Sequence, residues 1–429
     1  MIPKITIASL IYKSPVYADA VWESVHKFTP ELHNGEAEFF FIANDPTDEL
    51  IAHLEEKNYK YYININPPKT EEELFRMGYT TPLYIHKVYR GWNEVFKYAK
   101  GDIIVSVNSD MHFGHNWLKN LLKNLSSSTI VTSRLIERSD SVYSARWPGA
   151  IQFDFGSNPI NFEEDKFLLF SKIVSINDTI PSGAFMPCAV YWDVAMSVGL
   201  YPEGNLISGR PGDFDFFHRL NQNNVKHITA MDSIVYHYGE GELTEHFDRS
   251  EFINYFIKNR KYNDYLELGV LNKLNFNKIN CSNKTSVDLN YDADYQMSTD
   301  DFFKINKSKY DIIFIDANHI EEFLTRDIHN SLSALKAGGI IICHDCNPPD
   351  EYSQKDENYL HQTAWKAFVK FRNESKYLTY CLPYDCGLGI IDTRHPNDDV
   401  KLDLPQNLQY IDLENNRNKY LGIKYTPIL

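Results

Sequence analysis

The sequence predicts an α/β protein made of two Rossmann-like domains. Three observations predict it. The chain has 429 residues, beyond the ~100–200 of an ordinary domain. Short apolar runs repeatedly end in a polar or acidic residue, and a stretch of helical period follows. These units fall into two clusters that share architecture but not sequence.

The first runs are Ile5 to Ile11, then Phe39–Ala43 ending in Asn44-Asp45, then Ile103–Val107 ending in Asn108-Ser109-Asp110. Later runs are Tyr265–Leu268 around Glu267, Ile312–Ile315 ending in Asp316, and Ile340–Cys343 ending in His344-Asp345. Continuous apolar runs of this length mark parallel strands buried on both faces. Between them, Trp117, Leu118, Leu121, Leu122 and Leu125 share one helical face, as do Ile320, Phe323, Leu324, Ile328, Leu332 and Leu335. Gly338-Gly339 is the expected stop of the second helix. The expected organisation is a first domain over 1–245, a linker or bridging helix over 246–261, a second domain over 262–395 and a tail over 396–429. In such sheets ligands bind beyond the carboxyl ends of the strands, where these polar groups stand.

Composition narrows the function. With 43 Lys and Arg against 58 Asp and Glu, the formal charge is −15. That argues against a nucleic-acid coat and against a polybasic membrane binder. The sequence has no apolar run of 18 residues, so no membrane-spanning segment is expected. No leader pattern precedes the first strand. The six cysteines read as reduced structural thiols, because Cys343-x-x-Cys346 lacks the second pair of a zinc site. A cytoplasmic location is expected, with peripheral attachment at an inner membrane face as a further option.

The first cluster carries the residue types that sugar transfer needs. A leaving diphosphate calls for a divalent cation on oxygen or imidazole ligands. An acceptor hydroxyl calls for a general base. Asp45, Asn108, Asp110, Asp213 and His237 all lie at strand ends or helix starts. Asp48 and Asp215 have the simpler reading of helix-end charges.

In order, Ala43-Asn44-Asp45-Pro46-Thr47-Asp48, Trp92 to Asp102, Asn108-Ser109-Asp110, Gly212-Asp213-Phe214-Asp215 and Val235-Tyr236-His237 resemble the motifs of family-two glycosyltransferases of the GT-A fold. The resemblance implies that Asp45, with Asn108 and Asp110, binds a UDP- or GDP-type nucleotide sugar. It implies that Asp110 and His237 hold Mn²⁺ or Mg²⁺, and that Asp213 is the catalytic base of an inverting transfer. Asn108 replaces the first acid of the D-x-D pattern, and Gly212 replaces the usual Glu before Asp213. The expected acceptor is a glycan or a lipid-linked glycan, as in polysaccharide biosynthesis.

The second cluster resembles class I methyltransferases that use S-adenosylmethionine. The resemblance rests on Met297 to Phe303, on Ile313 to His319 and on Asp327 to Asp345, with Tyr265–Val270 and Ser286-Val287-Asp288 standing where the family places its cofactor residues. It implies cofactor binding by Glu267, Gly269 and Asp288. It also implies a metal or base role for Asp316, His319, His344 and Asp345, as in metal-dependent O-methyltransferases. The first loop departs from the family. Gly269 is followed by Val270 to Phe276 with no second glycine, and Leu271, Asn272 and Lys273 carry side chains that could fill the cleft. The alternatives are a domain that has lost its cofactor and serves docking or homo-oligomerisation, and a carbohydrate-binding scaffold inactive at both sites.

Overall fold

A computed structural model of the chain describes residues 4–68, 70, 72–73, 83–138, 147–202, 212–239, 241–244, 247–290, 292–354, 361–397 and 401–429. Pro211, Glu240 and part of the expected tail lie outside these residues. The chain divides into two compact units, Met1–Glu245 and His246–Leu429. Both are Rossmann-like α/β layers, the fold class the strand-and-helix alternation predicts.

In the first unit the strands are β1 (Ile5–Ile11), β2 (Ala37–Asn44), β3 (Tyr61–Asn64), β4 (Ile103–Val107), β5 (Met111–Phe113), β6 (Thr129–Glu137), β7 (Ile151–Gln152), β8 (Thr179–Pro181), β9 (Cys188–Tyr191) and β10 (Lys226–His237). Their order is β3-β2-β1-β4-β9-β6-β10-β5, with β7 on β6 and β8 on β10. β1 to β4 run parallel, β9 is antiparallel between β4 and β6, and β6 and β10 are parallel. The carboxyl ends of β1, β2, β4, β6 and β10 therefore share one edge. Asn44, Asn108 and His237 are delivered there by topology.

The second unit holds β11 (Asp264–Leu268), β12 (Asn283–Asp288), β13 (Tyr295–Gln296), β14 (Tyr310–Ile315), β15 (Leu335–Cys343), β16 (Tyr377–Leu382) and β17 (Leu388–Pro396). Their order is β13-β12-β11-β14-β15-β17-β16. β17 is antiparallel to both neighbours. Ile312 to Phe314 and Ile340 to Cys343 are fully buried, as their unbroken apolar runs require.

Two expectations give way here. The stretch 246–261 holds a helix, as expected, but as part of the second unit rather than as a separate linker. The helix is Arg249–Arg260, closed at its start by an Asp248/Glu251 capping box. Its apolar residues Phe252, Ile253, Phe256 and Ile257 are buried. From the tail, Leu402, Leu408, Tyr410, Leu413, Tyr420 and Leu421 join the core of the same unit. Gly338 and Gly339 do not end a helix either. The helix Glu321–Ala334 stops earlier, and both glycines lie in β15 at a register shift against β14. A Cβ on Gly339 would stand 2.6 Å from the Asp311 carbonyl oxygen, so the close approach of the strands sets the residue type.

Arg260 fixes its helix to the sheet. Its guanidinium donates to both oxygens of Asp392 on β17, at 3.0 and 2.6 Å, and to the Ile428 carbonyl at 2.8 Å. Both side chains are excluded from water. Arg260→Met should cost ~3–5 kcal/mol by stranding a buried carboxylate, and adding Asp392→Leu should restore much of the loss. Urea unfolding of the single and double variants measures both effects.

Candidate functional site

At the strand-end edge of the first unit, the register of β6 and β10 sets Glu137 opposite His237. His237 Nδ1 faces Glu137 Oε1 at 3.3 Å, and its Nε2 faces Asp110 Oδ2 at 3.2 Å. Burial works against a charged ring. The Asp110 charge and the hydrogen bonds to both acids outweigh it and push the pKa up to about 10. A carboxylate on one ring nitrogen fixes the other for a ligand, the arrangement common in histidine metal sites. The residues present thus fit a divalent cation held by Asp110 Oδ2 and His237 Nε2.

The other expected residues of this unit have separate partners. Asp45, at φ +52°, accepts from the Asn66 amide at 2.7 Å and pairs with Lys87 at 2.7 Å. Burial would raise its pKa, but the Lys87 and Asn66 bonds hold it below the ordinary value. Asn108 follows β4, half-buried. Asp213 opens the helix Gly212–Gln222 and accepts from the Phe214 amide at 2.8 Å. Burial pushes its pKa up, partly offset by that amide and by Tyr89. Asp215 pairs with Arg219 one turn on, at 2.6 Å. Asp48 does not cap its helix, because Thr47 accepts the Leu50 amide.

Glu242 was not expected. It is buried, and its Oε2 accepts the backbone amides of Tyr12, Lys13 and Ser14 at 3.0, 2.7 and 2.9 Å, while Oε1 accepts from Ser109 Oγ at 2.9 Å. It fastens the loop after β1 to the loop after β4. It lies within the expected first domain, beyond its last strand.

The second unit carries a cleft of about 900 Å³ at the carboxyl ends of β11, β12, β14 and β15. Glu267, Gly269 and Asp288 line it on one side, and Asp316, His319, His344 and Asp345 on the other. Asp288 Oδ2 accepts the amides of Val270 and Leu271, both at 2.8 Å, so it shapes the first loop. The loop turns without a second glycine because Leu271 and Lys273 themselves take left-handed backbone, at φ +44° and +59°. Leu271, Asn272 and Leu274 line the cleft rather than fill it, and Leu271 stays 70 % exposed. At Gly269, φ is +86° and a Cβ would stand 2.2 Å from the Asp316 carbonyl oxygen, so only glycine fits.

Glu267 is buried beside this wall and accepts from the Tyr265 hydroxyl and from Asn275 Nδ2. Asn275 also lines the cleft, and its Oδ1 is buried with no hydrogen-bond partner among the described residues. An unpaired acceptor next to a carboxyl group fits the ammonium of an amino-acid moiety such as that of S-adenosylmethionine.

Across the cleft, one ligand atom each of Asp316, His319, His344 and Asp345 lies within 4.8 Å of the others. His344 Nδ1 faces Asp316 Oδ1 at 3.0 Å and Asp345 Oδ2 at 3.2 Å. Its Nε2–H donates to the Asp385 carbonyl at 2.9 Å, which turns Nδ1 toward the acids. Two carboxylates and two imidazoles fit a divalent cation. Arg249 reaches in, with Nη1 on Asp316 at 2.7 Å and Nε on Asp385 at 2.7 Å. Burial alone would raise the pKa of Asp316, but bonds from His319 and His344 and the charge of Arg249 hold it well below the carboxylate range. Burial likewise opposes charge on His344, yet its three acidic neighbours raise its pKa well above the usual histidine value. Arg249, Asn275, His361 and Asp385 escaped the sequence reading. Arg249 lay in the expected linker, and Asp385 sits in the turn between the closing strands.

A family model described as a methyltransferase domain matches residues 219–346, less than half of the chain. No curated protein matches. Among solved structures, 237 chains match. One is a crystal structure of GalNAc-T7 with UDP, GalNAc and Mn²⁺, at 14 % identity over 59 % of this chain and 48 % of that chain, with a TM-score of 0.36. Another is the SAH-bound Podospora anserina methyltransferase PaMTH1, at 15 % identity over 35 % of this chain and 78 % of that one, with a TM-score of 0.28. The match to GalNAc-T7 spans about half the length of that protein. The match to the methyltransferase-domain model begins in the first unit and runs through β15 of the second.

Glu267 gives this unit a pH signature. Burial, with the Asp316 charge, lifts its pKa from 4.5 to about 7 against the pull of Tyr265 and Asn275. The folded chain then holds a proton that the unfolded chain has lost, so stability falls as pH rises from 4.5 to 7. Glu267→Gln should remove this slope and be the more stable form above pH 7, by up to ~3 kcal/mol. Thermal unfolding of both forms between pH 5 and 8 reads the difference.

In the first unit, a cation taken up by Asp110 and His237 would have to displace the His237 proton. Mn²⁺ affinity there should rise ~10-fold per pH unit up to about pH 10, and Asp110→Asn should weaken it. Titrations at several pH values follow this directly.

Proposed function

We propose that the chain is a two-site transferase of glycan assembly. Its first unit moves a sugar from a nucleotide-sugar donor to a glycan hydroxyl. Its second unit methylates a hydroxyl of the same glycan, using S-adenosylmethionine. The observation that carries the reading is the second unit's cleft, where Glu267, Asn275 and Asp288 face the Asp316, His319, His344 and Asp345 group across about 900 Å³. One side suits a charged amino-acid and nucleoside ligand, and the other suits a cation and an acceptor oxygen.

When bound, the cofactor supplies an electrophilic methyl group. Glu267 and Asn275 Oδ1 would accept from its ammonium, while Asp288 holds the Val270–Leu271 turn of the cleft wall. His344 and the two acids hold the cation. His319, with Nδ1 on Asp345 at 3.0 Å, takes the acceptor proton at Nε2. Both rings have both nitrogens engaged, with His319 Nε2 facing Asp316 Oδ1 at 3.3 Å, and His319 is the more exposed of the two and so the better placed base.

In the first unit a divalent cation supplies charge against the leaving diphosphate. Asp110 and His237 hold it, Asp45 reads the nucleoside, and Asp213 takes the acceptor proton at its carboxylate. The raised pKa of Asp213 suits that task.

S-Adenosylhomocysteine titrated calorimetrically into the full chain should bind with micromolar affinity and lose it in Asp288→Ala. No binding to the folded wild type would leave the second unit as a docking module. Mn²⁺-dependent turnover of a nucleotide sugar should be lost in Asp110→Ala. In Asp213→Asn, transfer should fall at least ~100-fold while donor affinity holds. Full transfer activity in Asp213→Asn would remove it as the base.

A further inference from the structure

Beside the cation group of the second unit lies another set of ligands. Asp345, His361 and Cys386 each offer one ligand atom, and the three atoms lie within 4.8 Å of one another. Asp345 belongs to both sets. Its Oδ2 faces His319 Nδ1 at 3.0 Å and His344 Nδ1 at 3.2 Å, while its Oδ1 faces His361 Nε2 at 3.4 Å. One carboxylate thus presents its two oxygens to two different groups.

The backbone holds this second set in place. The amides of Cys346 and Asn347 donate to the carbonyls of Gly387 and Cys386 at 3.0 and 2.9 Å, which joins the segment after β15 to the turn before β17. The His361 amide donates to the Ser353 carbonyl at 3.2 Å. His361 is buried, and its Nδ1 has no hydrogen-bond partner among the described residues. Cys386 is exposed and leaves a path from solvent. The other cysteines have no acid and imidazole grouped with them in this way among the described residues.

We propose that Asp345, His361 and Cys386 form a second cation site, selective for a borderline-soft divalent ion such as Zn²⁺, with Asp345 bridging it to the Asp316, His319 and His344 group. The ligand types decide the selectivity. Thiolate and imidazole favour zinc over magnesium, whereas the neighbouring set has no sulfur. Three protein ligands leave a fourth tetrahedral position open for water or for an acceptor oxygen. Asp345 and His361 both line the cleft, so that position borders the methyl-transfer site. The placement stands on these three side chains and needs neither cofactor nor sugar.

The test uses the full chain, stripped of metal by a chelator and titrated with Co²⁺ as a spectroscopic stand-in for zinc. The wild type should develop a cobalt–thiolate charge-transfer band. Cys386→Ser and His361→Ala should each lose it, and each should retain about one equivalent of zinc fewer than the wild type after dialysis. Asp316→Asn, which alters only the neighbouring set, should keep the band. Circular dichroism and thermal unfolding confirm that each variant is folded. Absence of the band in the wild type, or its survival in Cys386→Ser, overturns the proposal. Loss of the band in folded Asp316→Asn overturns a distinct second site. The readout is the metal alone, so failure of cofactor binding leaves this result standing.

Discussion

The second unit depends on one strand direction. β17 runs antiparallel to β15, with Cys343 opposite Gly389, so the turn between β16 and β17 ends beside the carboxyl end of β15. A parallel strand there would carry that turn to the far edge of the sheet. Instead, Asp385 and Cys386 meet His344 and Asp345. Gly387 permits the approach, since a Cβ on it would stand 2.4 Å from the Asn347 amide nitrogen. The acids gathered this way repel one another, and Arg249 and the charged His344 compensate them.

The two units reach similar chemistry by different routes. In the first, two neighbouring parallel strands end in Glu137 and His237, and Asp110 arrives from a third strand end. A carboxylate orients the ring. In the second, a backbone carbonyl orients His344, and both acids stay on the ligand side. The first arrangement is a compact group of one ring between two carboxylates. The second builds a broader floor that leaves Asp345 with an oxygen turned outward.

Most of the fold was legible because buried parallel strands announce themselves as unbroken apolar runs. β1 and β4 keep the expected limits, and β14 starts two residues earlier. What the sequence hid was tertiary. Glycines usually end helices, yet Gly338 and Gly339 serve a strand that approaches its neighbour closely. The helix expected over 246–261 is there, but its polar composition did not show that its aromatic and aliphatic face is buried within the second unit. Site residues at the ends of apolar runs could be named from the sequence: Asp110, His237, Asp316, His344 and Asp345. Those in turns could not, because Glu242, Arg249, Asp385 and Cys386 gain meaning only when a strand pairing or a helix start brings them in.

The left-handed backbone at Asp45, Leu271, Asp345, Asp385 and Cys386 has a cost that the fold elsewhere absorbs. Each side chain is held where glycine would sit at lower energy. The same backbone recurs away from the clefts, at Asn58, Asn116, Ser182, Leu200, Asn224 and Lys261, so it is the side chain and not the turn that distinguishes the cleft positions. Selection for stability alone would drift toward glycine at these positions and erase the sites while leaving both sheets intact. A relative that has kept the architecture and lost the chemistry would be recognised by that exchange.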